Sequence, residues 1–165
     1  WLEDVTKLLR QRVERDETIE EVRFSPGDEC RLKIRSLLGS ARKQVDICVF
    51  TITDDRLVEA MVDAHRRRVD LRIVTDNDKA FDRGSDARRL AKAGIPVRVD
   101  ESEHHMHHKY AIFDRSTLLT GSYNWTRSAA NHNRENLLVT DSSALVGPYL
   151  KNFDELWESL HGHAL

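Results

Sequence analysis

Apolar and polar residues follow one another along the chain in patterns that predict strands and helices in turn. Residues 45–50 and 71–75 are apolar enough to form buried strands. Between them, four apolar residues recur at the spacing of one helix face: Leu57, Ala60, Met61 and Ala64. Three short strands are predicted later, at 109–113, 118–121 and 136–140, and they are followed by a helix that carries Phe153 and Trp157.

This alternation predicts an α/β fold, in which a mixed central β-sheet is flanked by helices on both faces. We expect an extra amphipathic helix over residues 1–17, with Leu2, Val5, Leu8 and Leu9 on its apolar side, and a single domain over residues 18–165. No apolar run approaches the roughly 20 residues of a membrane-spanning helix, so these residues are not expected to cross a bilayer.

Composition narrows the class of protein. Of the 165 residues, 39% are hydrophobic and 33% are charged, which is typical of a globular domain and excludes a disordered tail. Cys30 and Cys48 show neither a metal-binding spacing nor a disulfide pattern. The sequence therefore favours a reduced, cytoplasmic protein.

The net charge of −2 gives no general attraction to polyanions, but basic residues cluster locally. The clusters are Arg31, Lys33, Arg35, Arg42 and Lys43, and the triplet Arg66, Arg67 and Arg68. Either a solvated helix face or a nucleic-acid groove is compatible with such clusters.

The candidate chemistry begins at the histidine-rich stretch that precedes residue 109. In an extended chain, residues two apart point to the same side, so His107 and Lys109 are expected to lie side by side. This pair suits a phosphate, because imidazole can act as a nucleophile or a proton donor near neutrality while the ammonium group holds a non-bridging oxygen.

Further polar residues follow the next strands. Asn124 comes after Gly121 and Ser122, where small residues let the backbone and the hydroxyl approach a phosphate. Glu135 is the best candidate to accept a hydrogen bond from His107 and so orient its ring. Asp114, at the turn after the His107 and Lys109 strand, is expected to join this catalytic network or to brace the turn.

A metal site is the main alternative for the four histidines, which are His104, His105, His107 and His108. Alternate residues of an extended chain point to opposite sides, so at most two of these rings converge. No Cys or carboxylate set lies nearby in the sequence to complete a coordination sphere. We therefore expect no bound metal.

The pattern His107-x-Lys109-x-x-x-x-Asp114, followed by Gly121-Ser122-x-Asn124, resembles the signature of the phospholipase D superfamily. Glu135 stands where that family usually carries a carboxylate. The chain is most similar to the branch that holds mitochondrial cardiolipin hydrolase and the small bacterial EDTA-resistant nucleases. The resemblance implies a phospholipase D-type fold and a catalytic domain over residues 18–165.

The resemblance also implies a two-step mechanism without a cofactor. His107 of one protomer attacks phosphorus to form a phosphohistidine, and His107 of a second protomer protonates the leaving oxygen and then activates water. Because this chain carries one copy of the motif, a homodimer with its active site on the two-fold axis is expected.

Three functions are compatible with the sequence. The leading hypothesis is a nuclease of low sequence specificity that acts on DNA or RNA, with the basic clusters lying beside the site. The second is a phospholipase D that acts on cardiolipin or a related phospholipid, for which the predicted N-terminal helix could supply an apolar contact. The third is a catalytically inactive nucleic-acid-binding module.

Overall fold

The computed structural model describes residues 18–81, 85–161 and 164–165. The amphipathic helix expected over residues 1–17 lies outside the described residues. Within them, the strands are β1 Glu20–Phe24, β2 Gln44–Val49, β3 Asp70–Asp76, β4 Val97–Asp100, β5 Lys109–Phe113, β6 Thr117–Gly121 and β7 Asn136–Thr140. The helices are α1 Glu29–Ser40, α2 Asp55–Arg66, α3 Asn77–Phe81, α4 Ala87–Lys92, α5 Arg127–Asn131 and α6 Ser143–Ser159.

The seven strands form one sheet in the order β1-β7-β6-β5-β2-β3-β4. The pairs β2 with β3 and β3 with β4 are parallel, because a helix connects each strand to the next. The remaining neighbours are antiparallel. The predicted mixed sheet is therefore confirmed.

Both faces of the sheet are covered, which explains why β2 is apolar throughout most of its length. Ile47 points to the face covered by α1 and α2, where it joins Ile34 and Leu57 in one hydrophobic core. Cys48 points to the opposite face and packs in a second core with Phe153 of α6. Both cysteines of the chain are free and buried.

One charged position interrupts β2 and helps to hold α6. Asp46 is buried, and its carboxylate pairs with Arg72 of β3 at 2.7 Å. Arg72 also reaches Asp154 of α6 at 2.8 Å and lies over the ring of Phe153. A buried carboxylate requires such a partner, and the shared arginine ties the last helix to the centre of the sheet.

The last helix, α6, begins at Ser143 and contains Pro148 within its length. No helix in the described ranges combines the length and the apolar character that crossing a membrane would need.

The strand directions give the sheet two functionally distinct ends. Val49, the last residue of β2, pairs with Lys109, the first residue of β5. Gly121 ends β6 and Asn136 begins β7 beside them. We call this the Lys109 end. The Asp114 end is the opposite one, where β2 and β3 begin with the paired residues Gln44 and Asp70.

Five of the eight residues in the basic clusters lie away from the Lys109 end, in contrast to the sequence expectation. Arg42 and Lys43 immediately precede β2, and the triplet Arg66, Arg67 and Arg68 precedes β3, so both groups lie at the Asp114 end. Two other members of the clusters are neutralised by acids. Arg31 pairs with Asp28 at 2.6 Å, and Lys33 pairs with Glu21 at 2.7 Å.

Candidate active site

His107 and Lys109 meet at the Lys109 end of the sheet. Lys109 begins β5 and His107 lies in the loop just before it, so their side chains project in the same direction. The Lys109 ammonium lies 3.1 Å from Nδ1 of His107 and donates a hydrogen bond to the His107 carbonyl oxygen at 2.7 Å. The structure thus brings together the two residues that the sequence paired for phosphate chemistry.

Phe50 supports both of these side chains. Its ring lies 4.6 Å from the His107 ring, between centroids, and the Lys109 ammonium sits 5.0 Å above the same ring. An ammonium over an aromatic face is attracted by the ring quadrupole. Phe50 is itself fixed by a hydrogen bond from its backbone N–H to the His108 carbonyl oxygen at 2.9 Å.

The surroundings lower the pKa of both groups. Desolvation lowers the pKa of His107, and the positive charge of Lys109 lowers it further. Desolvation also lowers the pKa of Lys109, while the negative charge of Glu135 opposes that shift. A neutral His107 keeps a free ring lone pair at physiological pH, which a nucleophile requires.

Glu135 is held by side chains from both sides of the β6–β7 connection. Ser122 donates its hydroxyl hydrogen to one carboxylate oxygen, and the Asn133 amide donates to the other at 3.1 Å. Glu135 was expected to orient the His107 ring. In the described part of one chain, the Glu135 carboxylate accepts hydrogen bonds from Ser122 and Asn133, and its charge acts on Lys109.

The hydroxyl group of Ser122, which was expected to bind phosphate, has partners within the chain. It donates to Glu135 and accepts the backbone N–H of Asn136 at 3.1 Å, and the Ser122 N–H donates to the Asn136 carbonyl oxygen. Ser122 therefore positions Glu135 and joins β6 to β7. No donor of this residue is left for a phosphate oxygen.

Gly121 allows this close joining of strands. A Cβ at Gly121 would lie 2.2 Å from the Asn136 carbonyl oxygen, a backbone atom that cannot swing aside. Only glycine permits such an approach.

Asn124 lies between β6 and α5, in a segment anchored to the β2–α2 connection. Its neighbour Trp125 accepts backbone hydrogen bonds from Thr53 and Asp54 and donates one to Thr51. The Asn124 side-chain oxygen is buried and has no hydrogen-bond partner among the described residues. Buried polar atoms are normally paired, so this amide is poorly satisfied by the protein alone.

Asp114 follows the end of β5 that lies opposite to Lys109. Its carboxylate accepts backbone N–H groups from Arg42, Lys43 and Gln44, at 3.0, 2.7 and 3.1 Å respectively. Asp114 therefore braces the turn that leads into β2, the second of the two roles that the sequence allowed.

The remaining histidines take separate directions. Burial lowers the pKa of His108, whose ring contacts Tyr110 at 5.5 Å. His105 faces the carboxylates of Asp76 and Asp78, at the end of β3. The sequence showed no carboxylate set near the histidines, but the fold brings Asp76 and Asp78 to His105 because parallel β3 ends beside their loop. An Asp-x-Asp pair that follows a buried strand was the signal available in the sequence.

Comparison with known proteins identifies the fold that carries this site. Residues 34–157 match the family described as cardiolipin synthase, PLD-like domain. This chain belongs to that phospholipase D-like family. The membership confirms the resemblance drawn from the His107, Lys109 and Asn124 pattern.

A solved phospholipase D-like structure has the same architecture. Nuc from Salmonella typhimurium, a phospholipase D family member, superposes with a TM-score of 0.80 at 30% sequence identity. The match covers 90% of this chain and 97% of that one. The described fold is therefore a phospholipase D-type fold.

Curated relatives carry the name mitochondrial cardiolipin hydrolase. The protein from Chlamydomonas reinhardtii is 46% identical over 121 residues, covering 73% of this chain and 54% of that protein. The protein from Homo sapiens is 42% identical over 135 residues, covering 82% and 54%. The chain thus spans about half the length of these relatives. The expected cytoplasmic location is wrong, because these relatives are named as mitochondrial proteins.

Proposed function

We propose that this chain is a metal-independent phosphodiesterase, most specifically a nuclease of low sequence specificity. The observation that carries the proposal is the contact between Lys109 and His107, at 3.1 Å on an exposed end of the sheet. Phospholipase D-like membership supports phosphodiester chemistry in general, because the chain keeps the histidine, lysine and asparagine of that signature.

The proposed reaction proceeds in two displacements at phosphorus. A ring nitrogen of His107 forms a bond to phosphorus while the bond to the leaving oxygen breaks, and a second His107 donates a proton to that oxygen. Water then attacks the phosphohistidine, losing its proton to the second His107 and restoring the first. Lys109 and the Asn124 amide would stabilise the charge on the non-bridging oxygens.

The proposed reaction needs a second His107, and one chain carries only one. The proposal therefore includes a homodimer. One exposed apolar pair supports it, because Val22 of β1 and Leu138 of β7 are cross-strand neighbours that remain 46% and 36% exposed. Both lie on the same face of the sheet, on the edge strand β1 and its neighbour β7. Exposed apolar patches favour association. We propose that a second copy covers this pair about a two-fold axis.

A cavity beside Glu135 favours nucleic acid as the substrate. It has a volume of about 570 Å³ and is lined by Phe24, Ser25, Pro26, Arg134, Glu135 and Asn136. Phe24 is 65% exposed and offers a face on which a base can stack. Arg134 adds a positive charge for a neighbouring phosphate.

A phospholipase D that acts on cardiolipin or a related lipid is the second candidate. The names of the curated relatives favour it, as does the placement of Arg42, Lys43 and the arginine triplet at the Asp114 end. Because these five residues lie away from the site, electrostatic attraction to nucleic acid is weaker there than the sequence indicated. With these relatives as the guide, we propose a mitochondrial location for the protein.

Parallel cleavage assays in excess EDTA test the proposal. Wild type and His107→Ala would be offered labelled single-stranded DNA, RNA, duplex DNA and cardiolipin liposomes, with His104→Ala as the control. We expect wild type and the control to cut nucleic acid, and His107→Ala to be inactive. Hydrolysis of lipid alone would establish the second candidate. Loss of all activity in EDTA, or turnover by His107→Ala, would contradict the mechanism.

A further inference from the structure

The loop before β5 places His105 against two carboxylates at the end of β3. Nδ1 of His105 lies 3.3 Å from Asp76 Oδ2 and 3.9 Å from Asp78 Oδ2. One ligand atom from each of these three residues lies within 4.8 Å of the others. The three side chains therefore gather where the end of β3 meets the loop that carries His107.

The spacing of these atoms is closer to that of metal ligands than to that of a strong hydrogen bond. A charge-assisted N–H to carboxylate bond usually measures about 2.7–2.9 Å, shorter than the 3.3 Å between His105 and Asp76. Two ligands of a tetrahedral zinc ion, with bonds of about 2.0–2.2 Å, stand about 3.4 Å apart. The separation of Asp76 and His105 already matches that geometry.

Asp76 provides a fixed ligand, and the other two can adjust. The Asp76 side chain is 0% exposed, and its oxygens accept the backbone N–H groups of Asp78 at 3.1 Å and Met106 at 2.9 Å. The side chains of His105 and Asp78 are 55% and 65% exposed. Rotations of these two exposed side chains can bring their ligand atoms closer to Asp76 around an ion.

We propose that Asp76, Asp78 and His105 form a site for a divalent transition-metal ion of the zinc class. One imidazole and two carboxylates suit such ions, with a fourth position open to water. The ion would join the end of β3 to the loop that leads to His107, and so stabilise the folded chain. The site takes no part in the proposed hydrolysis and does not depend on which phosphodiester is the substrate.

Metal binding tests this proposal directly. The full chain, dialysed against EDTA and then freed of it, would be titrated with Zn²⁺ in a calorimeter and with Co²⁺ in a spectrophotometer. We expect one strong ion per chain and a higher melting temperature in Zn²⁺. His105→Ala and Asp78→Asn should each weaken binding by at least about tenfold, as loss of groups at a metal site does.

His104→Ala is the matched control, because it removes an exposed imidazole one residue away and leaves the three ligands intact. It should bind Zn²⁺ as wild type does. The proposal would be overturned by a wild type that binds no ion at millimolar Zn²⁺, or by His105→Ala binding with unchanged affinity. Equal weakening by His104→Ala and His105→Ala would also overturn it, because the histidine run would then collect ions without a defined site.

Discussion

Ser122 donates its hydroxyl hydrogen to the Glu135 carboxylate, and this bond fixes the acid whose charge raises the pKa of Lys109. The Ser122 hydroxyl also accepts the backbone N–H of Asn136. One side chain thus sets both the position of the carboxylate and the start of β7.

Ser122→Ala should reduce kcat by roughly tenfold to a hundredfold, because a hydrogen bond to a charged group contributes about 1.5–3 kcal/mol. KM should change little, since the Ser122 hydroxyl does not face substrate. Steady-state kinetics would measure both. Ser116→Ala is the control, as that hydroxyl contacts only the Phe113 carbonyl oxygen at the Asp114 end. If Ser116→Ala lowered kcat as much as Ser122→Ala does, the hydrogen bond from Ser122 to Glu135 would not be the cause of the loss.

Lys109→Ala should lower kcat by about a hundredfold or more, the scale expected when one donor to a transition state is removed. Lys151→Ala provides a comparison, because Lys151 is exposed on α6 and pairs only weakly with Glu155 at 3.7 Å. Circular dichroism would verify that both variants are folded. An unchanged rate for Lys109→Ala would rule out a role for its ammonium group in stabilising charge.

The activity should depend on the neutral form of His107. Since desolvation and Lys109 lower the pKa of His107 from 6.5, the acidic limb of kcat/KM should fall below that pH. In Lys109→Met the charge is lost while the desolvation remains, so the pKa should rise part of the way back. Titration of the His107 ring by NMR in both proteins would measure this shift, independently of turnover. A pKa that falls in Lys109→Met would contradict the assigned cause.

Asp114→Ala should destabilise the fold and leave the chemistry intact. The substitution removes the acceptor of three backbone N–H groups, which costs about 1–3 kcal/mol. Thermal unfolding would detect the loss, and kcat should stay within about twofold of wild type. A large fall in kcat without a fall in melting temperature would show that Asp114 has a catalytic role.

Asp114 also makes the free energy of unfolding depend on pH. Burial opposes ionisation of Asp114, but the N–H groups of Lys43, Gln44 and Arg42 outweigh it and hold its pKa below 3.8. Its contribution is therefore present above that value and is lost as pH falls through the lower folded pKa. The stability difference between wild type and Asp114→Ala should shrink in that acidic range.

The sequence predicted the sheet and the residues at its Lys109 end because both depend on local patterns. The apolar runs of β2 and β3 are buried on both faces, so they stand out from their surroundings. The spacing of His107 and Lys109 needed only an extended backbone. In these places the local geometry alone determines which side chains meet.

The remaining features depend on which end of a strand a loop joins. Arg42 and Arg66 come shortly before strands β2 and β3, and residues that precede parallel strands collect at one end of a sheet. Their placement away from Lys109 required the strand order, which periodicity does not provide. The approach of Asp76 to His105, 29 residues apart in the chain, depends on the same topology.

The missing side chain at Gly121 has a consequence for how the protein would behave under random mutation. Any residue with a Cβ there would press on the Asn136 carbonyl oxygen and so shift the strand that begins next to Glu135. A mutational survey scored by activity alone would therefore rank Gly121 beside the groups that touch the phosphate, although it carries no reactive atom. Intolerance to change at this position would report the distance between two backbones and would say nothing about the chemistry.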